Sequence, residues 1–235
     1  MRESVDVRFG GEALRLLRDR ALVRVERGDL VVADLHLGKP EAFRAHGSPV
    51  PEGVTEHDLG RLSAMIRETG AARLVVLGDL LHSRHGATGP LFEAMARWQE
   101  RHAGVEVLLV RGNHDRKSGA LPHELGIVEV DPPFDDGLVL LHEPEAAPAG
   151  RCCLAGHVHP SVRAPGLRMS GACFAMSERL CILPSFGTFT GSRAVEVCDS
   201  DVAFVCAREG LVPATRAAAE LWSCRGAQAA SFVER

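Results

Sequence analysis

Short apolar runs recur along the chain, each closed by a stretch rich in glycine and polar residues. The runs at 74–77 and 105–110 are nearly unbroken, the pattern of strands buried on both faces. Residues 21–25 and 30–33 read as strands joined by a turn at Arg27-Gly28-Asp29. Leu59, Leu62, Ile66 and Thr69 stand at helical spacing and predict a helix over 54–69, with Gly70 as its natural stop. Leu91, Met95 and Trp98 predict a second helix. Further strands are expected at 138–141, 152–155 and 202–207, with a hairpin of 173–176 and 180–183 around Ser177-Glu178. Strand and helix alternate in the first half and strands predominate in the second, which predicts a layered α/β protein with helices outside a central sheet or pair of sheets. The pattern shows no internal repeat, and its 235 residues suit one domain. The expected division is a main domain over 1–211 and a tail over 212–235, either a peripheral helix or disordered.

Composition narrows the class. Apolar residues make up 46% and charged residues 25%, enough apolar material for a full core. A net charge of −4 argues against a protein that coats nucleic acid, so any nucleic acid would be gripped locally. The first ten residues are charged and do not read as a signal peptide, and no run approaches the ~18 apolar residues of a membrane span. A cytoplasmic protein without a membrane partner is expected. The seven cysteines form no CxxC pair, so they read as reduced thiols rather than a zinc or redox site.

The chemistry sits after the strands. Asp34-Leu35-His36 follows the run at 30–33, and Gly78-Asp79-Leu80-Leu81-His82 follows 74–77. Arg111-Gly112-Asn113-His114-Asp115 follows 105–110, His142 follows 138–141, and Gly156-His157-Val158-His159 follows 152–155. Loops at the carboxyl ends of strands converge in α/β sheets, so these donors would meet in space. Oxygen and imidazole donors suit Mn²⁺, Fe or Zn²⁺. Seven are too many for one tetrahedral ion but suit two ions sharing a carboxylate, the machinery of many phosphatases and nucleases. Each piece alone has a plainer explanation: a chance triplet, a turn, a helix cap, a surface histidine pair. Five in order, each after an apolar strand, make coincidence a poor account. So large a buried cluster of carboxylates and imidazoles would also be costly without cations.

The set Asp34-x-His36, Gly78-Asp79, Gly112-Asn113-His114-Asp115, His142 and Gly156-His157-Val158-His159 resembles the signature of the calcineurin-like metallophosphoesterase superfamily. The resemblance implies a four-layer α/β/β/α sandwich with metals at the strand ends. The stretches 33–39, Phe43-Arg44, Pro49-Val50-Pro51, His142-Glu143-Pro144 and 183–191 further resemble the bacterial ligase-associated DNA damage response endonucleases, manganese-dependent phosphodiesterases. From that likeness come two divalent cations, Mn²⁺ before Fe or Zn²⁺, a DNA or small phosphodiester substrate, and association with a DNA ligase, a helicase and an exonuclease. The oligomeric state stays open.

By the superfamily's pattern, Asp34, His36, Asp79 and His159 hold one ion and Asp79, Asn113, His142 and His157 the other, with a metal-activated hydroxide attacking phosphorus. His114 then serves as general acid, its ring held by Asp115 or a backbone carbonyl; the plainer reading is a turn residue. His82 either touches the substrate phosphate or packs in its loop. Lys39 and Arg44 would hold flanking phosphates of a polynucleotide, against the commoner fate of solvated surface charge. Arg84 and Arg116 share that ambiguity, while His85 and His123 read as surface or packing residues. Substrate choice falls to loops such as 38–51 and 166–191. The rival functions are a phosphomonoesterase with the same metals and a non-catalytic scaffold, which the complete ligand set disfavours.

Overall fold

A computed structural model describes residues 2–164 and 170–223. A first sheet takes seven strands in chain order: β1 (Ser4–Phe9), β2 (Glu12–Leu17), β3 (Ala21–Arg24), β4 (Asp29–Val32), β5 (Arg73–Leu77), β6 (Glu106–Val110) and β7 (Val128–Val130). Pairing is antiparallel from β1 to β4 and parallel from β4 to β7. Between these strands run α1 (Lys39–Ala45), α2 (Val54–Thr69), α3 (Gly89–Arg101) and α4 (Asn113–Ser118). The second sheet has nine strands. They are β8 (Phe134–Asp136), β9 (Leu138–Leu140), β10 (Cys153–Ala155), β11 (Pro160–Val162), β12 (Gly171–Met176), β13 (Leu180–Ile182), β14 (Arg193–Ala194), β15 (Val202–Ala207) and β16 (Gly210–Pro213). Helix α5 (Arg216–Ser223) packs on β15 and β16.

The unbroken apolar runs have a simple cause. Val31, Val75, Leu77, Leu108 and Val110 face the interior between the sheets, against Leu140, Leu154, Phe174 and Phe204. Their neighbours Leu30, Val32, Leu74, Val76, Val107 and Leu109 face the other way, under Leu59, Leu62, Ile66, Leu91, Met95 and Trp98 of α2 and α3. Strands β4, β5 and β6 are therefore buried on both faces, and only their ends remain for chemistry. Helices α2 and α3 cover the outer face of the first sheet and α5 packs on the second, in keeping with the layered metallophosphoesterase-like α/β architecture expected.

Helix α2 has the expected bounds, and Gly70 ends it at φ 65° with its N–H on the Ile66 carbonyl. The N-terminal hairpin of β1 and β2 was not among the expected elements. Residues 38–51, read as a loop, contain α1. Of the tail, β16 spans the 211/212 boundary and α5 follows it, while 224–235 lie outside the described residues. Among the described residues no helix is long and apolar enough to cross a membrane.

Candidate metal centre

The loops after β4 and β5 stay in register beyond the strands. His36 N–H donates to Asp79 O at 2.8 Å, Leu37 N–H to Leu80 O at 2.8 Å, and His82 N–H to Leu37 O at 3.0 Å. Around it the chain takes conformations L-residues rarely adopt. Asp34 (φ 55°), His36 (50°), Asp79 (54°), His157 (69°) and His159 (50°) are all left-handed. Only Arg20 joins them among the described non-glycine residues. Each such residue costs about 1–3 kcal/mol and persists only where the surroundings impose it, which is typical of functional sites. Two motif glycines are required by contact. A Cβ at Gly78 would collide with the His142 ring, and one at Gly112 with the Asp79 carboxylate.

All seven expected ligands converge, in two groups that share Asp79. In the first, His159 Nε2 lies 3.1 Å from Asp34 Oδ1 and 3.4 Å from His36 Nε2. In the second, His142 Nε2 lies 3.0 Å from Asn113 Oδ1, 3.1 Å from His157 Nδ1 and 3.3 Å from Asp79 Oδ2. The same Asp79 Oδ2 lies 3.7 Å from His36 Nε2, so one carboxylate oxygen faces both groups. Its other oxygen accepts the His114 backbone N–H at 2.9 Å. Donors held ~2.1 Å from an ion sit roughly 3.0–3.4 Å apart at octahedral or tetrahedral angles, close to the spacings here.

Hydrogen-bond accounting supports the same fit. His142 Nδ1 lies 2.9 Å from the Leu77 carbonyl and must carry a proton to bond it. Its Nε2 then faces a carboxylate oxygen, an amide oxygen and an imidazole nitrogen, and one proton cannot satisfy all three. Burial disfavours charge on His142, yet the bond and charge of Asp79, with Asp34 and the Leu77 carbonyl, hold it up at about 9. Burial likewise pushes Asp79 up, but His142, the His114 N–H and His36 overcome it and hold it at about 2. Burial drives His36 down to about 3, so it is a neutral donor. A divalent cation in each group would satisfy lone pairs that protons cannot.

Around this centre the other expected residues divide. His114 Nδ1 meets the His82 carbonyl, so a backbone carbonyl holds the ring. Asp115 does not: its carboxylate accepts the N–H groups of Asp79 (2.7 Å), Gly112 (2.8 Å) and Leu81 (3.0 Å), tying the β5 loop to the start of α4. The His82 ring stacks on His114 at 5.1 Å, and burial lowers its pKa to about 4. Lys39 is half-buried, which lowers its pKa, and its positive charge acts on both His36 and His82. Arg44 bonds the carbonyls of Val50 (3.2 Å) and Pro51 (2.9 Å) and the Glu41 carboxylate (2.9 Å), so it holds its own loop. Arg116 pairs with exposed Glu143, His85 packs on His46, and Arg84 and His123 are exposed.

Sequence reasoning missed the residues that seat the loop over the site. Buried Asp58 accepts the Thr188 N–H at 2.9 Å, and Arg61 donates to Phe186 O at 2.7 Å. Phe186 N–H and Gly187 N–H then donate to Ala33 O and Asp34 O. An aspartate and an arginine three apart on a helix look like surface charge, so no local signal marks them.

The calcineurin-like phosphoesterase family model matches residues 30–147, the stretch that carries four of the five ligand motifs. Among solved structures the chain is similar to the Pseudomonas putida nuclease MPE, with 34% identity, a TM-score of 0.79, and 89% of this chain and 99% of that one covered. It is also similar to Yfce, a phosphoesterase from E. coli, at 20% identity and a TM-score of 0.42, covering 70% of this chain and 83% of that one. No curated protein sequence matches the chain. Sequence, fold and the converging donors agree that the chain belongs to the calcineurin-like phosphoesterase family and is a metal-dependent hydrolase.

Proposed function

We propose that the protein is a two-metal phosphodiesterase that cleaves nucleic acid, acting as a DNA endonuclease in bacterial repair. The observation that carries the reading is Asp79, whose Oδ2 lies 3.7 Å from His36 Nε2 and 3.3 Å from His142 Nε2 and so suits a bridging ligand. Asp34, His36, Asp79 and His159 would hold one ion, and Asp79, Asn113, His142 and His157 the other. Such a pair, with Mn²⁺ the first expectation, would acidify water and neutralise charge on the phosphate. The chain's own groups do the rest. His114 gives its Nδ1 proton to the His82 carbonyl in a hydrogen bond, so Nε2 is the atom that protonates the leaving oxygen. Lys39 brings positive charge to the same side and binds a phosphate oxygen, with His82 beside it. Asp115 and the αL residues keep the loops in place, so the donors need little rearrangement.

The likeness to a nuclease and the narrower motifs around residues 33–51 and 183–191 support the diester and DNA parts. The test is hydrolysis of bis-p-nitrophenyl phosphate and p-nitrophenyl phosphate by the Mn²⁺-loaded protein, followed by DNA. Diester turnover that requires the metal is expected. Preference for the monoester would make it a phosphatase, and no turnover with two metals bound would make it a scaffold. Association with a ligase, a helicase and an exonuclease rests on the resemblance alone; a pulldown recovering none of them would remove it.

A further inference from the structure

Phe43 is the one aromatic residue among the large hydrophobic side chains left exposed in the described residues, at 40%. It lies on α1 four residues after Lys39, hence on the same helix face. Its ring meets Phe189 edge-on at 5.6 Å and His82 at 6.2 Å. His82 stacks on His114, and His114 meets the ligand candidate His36 at 4.9 Å. An unbroken row of rings therefore runs from the donor cluster outward, ending in two phenylalanines, one on α1 and one on the loop after β13.

Both segments are fastened. Arg44, next to Phe43, is bound to the Val50 and Pro51 carbonyls and to Glu41. Phe189 follows Thr188, which Asp58 holds by its N–H and hydroxyl. Fixed aromatic faces lose little freedom when a flat ligand lands on them, while leaving them in water costs apolar hydration. Among the described residues the ring contacts of Phe43 are those to His82 and Phe189.

We infer that Phe43 and Phe189 form a stacking platform for the nucleobase flanking the scissile phosphate, so that the enzyme selects phosphodiesters carrying an unstacked base. This rests on the phosphodiesterase reading above. The ordering along α1 fits a nucleotide: Lys39 near the donor cluster for the phosphate, Phe43 one turn further out for the base. Base–aromatic stacking tolerates any base because each has a π-face, so the platform gives preference for bases without reading sequence.

The experiment compares thymidine 5′-(p-nitrophenyl phosphate) with methyl p-nitrophenyl phosphate on the Mn²⁺-loaded protein. The leaving group is the same and only one substrate carries a base. For Phe43→Ala and Phe189→Ala, the ratio of kcat/KM for the nucleoside diester to that for the methyl diester is expected to fall about tenfold or more, chiefly through KM. Phe43→Trp should restore the ratio, and Phe43→Leu, apolar but not flat, should not. An unchanged ratio in both alanine variants, or full rescue by leucine, would overturn the platform and leave the phosphodiesterase standing. Turnover of neither diester by the wild type would overturn the activity itself, and the platform with it.

Discussion

The two ends of β4 and β5 both carry buried charge, and they handle it in opposite ways. At the amino ends, Arg24 is fully buried and donates to Glu12 (2.7 Å) and Asp136 (2.9 Å), while Arg73 donates to Asp29 and Asp136, each at 2.6 Å. Asp136 comes from β8, so this network ties the two sheets together. At the carboxyl ends, Asp34, Asp79, Asn113 and four histidines point at one another, and among the described residues no arginine or lysine is paired with them. One end is complete in itself and holds the fold. The other, on the function proposed above, is completed by cations and carries the chemistry. Buried charge alone marks neither role; the sign balance within the cluster does.

The sharpest way to break this contrast is to remove Asp79. Asp79→Asn should cost at least about a thousandfold in diester turnover and lower the bound metal, read by elemental analysis. Metal at a hundredfold excess over its Kd should stabilise the wild type by about 2.7 kcal/mol and the variant by far less. A variant that keeps both ions and the thermal shift would show that Asp79 is not shared. His114→Ala should follow, with a loss of about 10²–10⁴ in kcat but unchanged metal content. Loss of metal there would make His114 a ligand instead of the acid.

At the other end the expected effect is on folding. Arg24→Met takes the fully buried partner from Glu12 and Asp136, leaving Glu12 only Arg27 at 3.7 Å, and breaking a buried pair costs about 3–5 kcal/mol. Urea denaturation should show that loss, while kcat per folded molecule stays within a few-fold of the wild type. A large fall in kcat with little loss of stability would mean that the ends are coupled and the division of labour is false.

Much of the donor end was readable because each ligand follows an apolar run, and the runs show where strands end. Helix α2 was readable because sixteen residues allow the 3.6 period to repeat and Gly70 closes it. Helix α1 has only seven residues, too few for a period to show. The N-terminal hairpin carries the alternation of a half-buried strand, with Val5, Val7 and Phe9 buried and Asp6 and Arg8 exposed. The charge network could not be read at all. Arg24, Asp29, Arg73 and Asp136 lie on four strands of two sheets, and only the register between them makes pairs. Asp115 failed differently: its neighbour His114 suggested a ring to hold, whereas backbone N–H groups from another loop took both oxygens.

The smallest effect is also the one that separates the ends by pH. Burial raises the Asp136 pKa, but the bonds and charges of Arg73 and then Arg24 outweigh it and leave it below its ordinary 3.8. A carboxylate depressed on folding adds stability that is present above its unfolded pKa and lost as pH falls through the folded one. The stability gap between wild type and Asp136→Asn should thus be constant from pH 7 to about 4 and close only below that. The gap should be smaller than for Arg24→Met, because Arg24 and Arg73 keep Glu12 and Asp29 as partners. A gap that already closes between pH 7 and 5 would point to a histidine, and so to the donor end, as the group through which Asp136 acts.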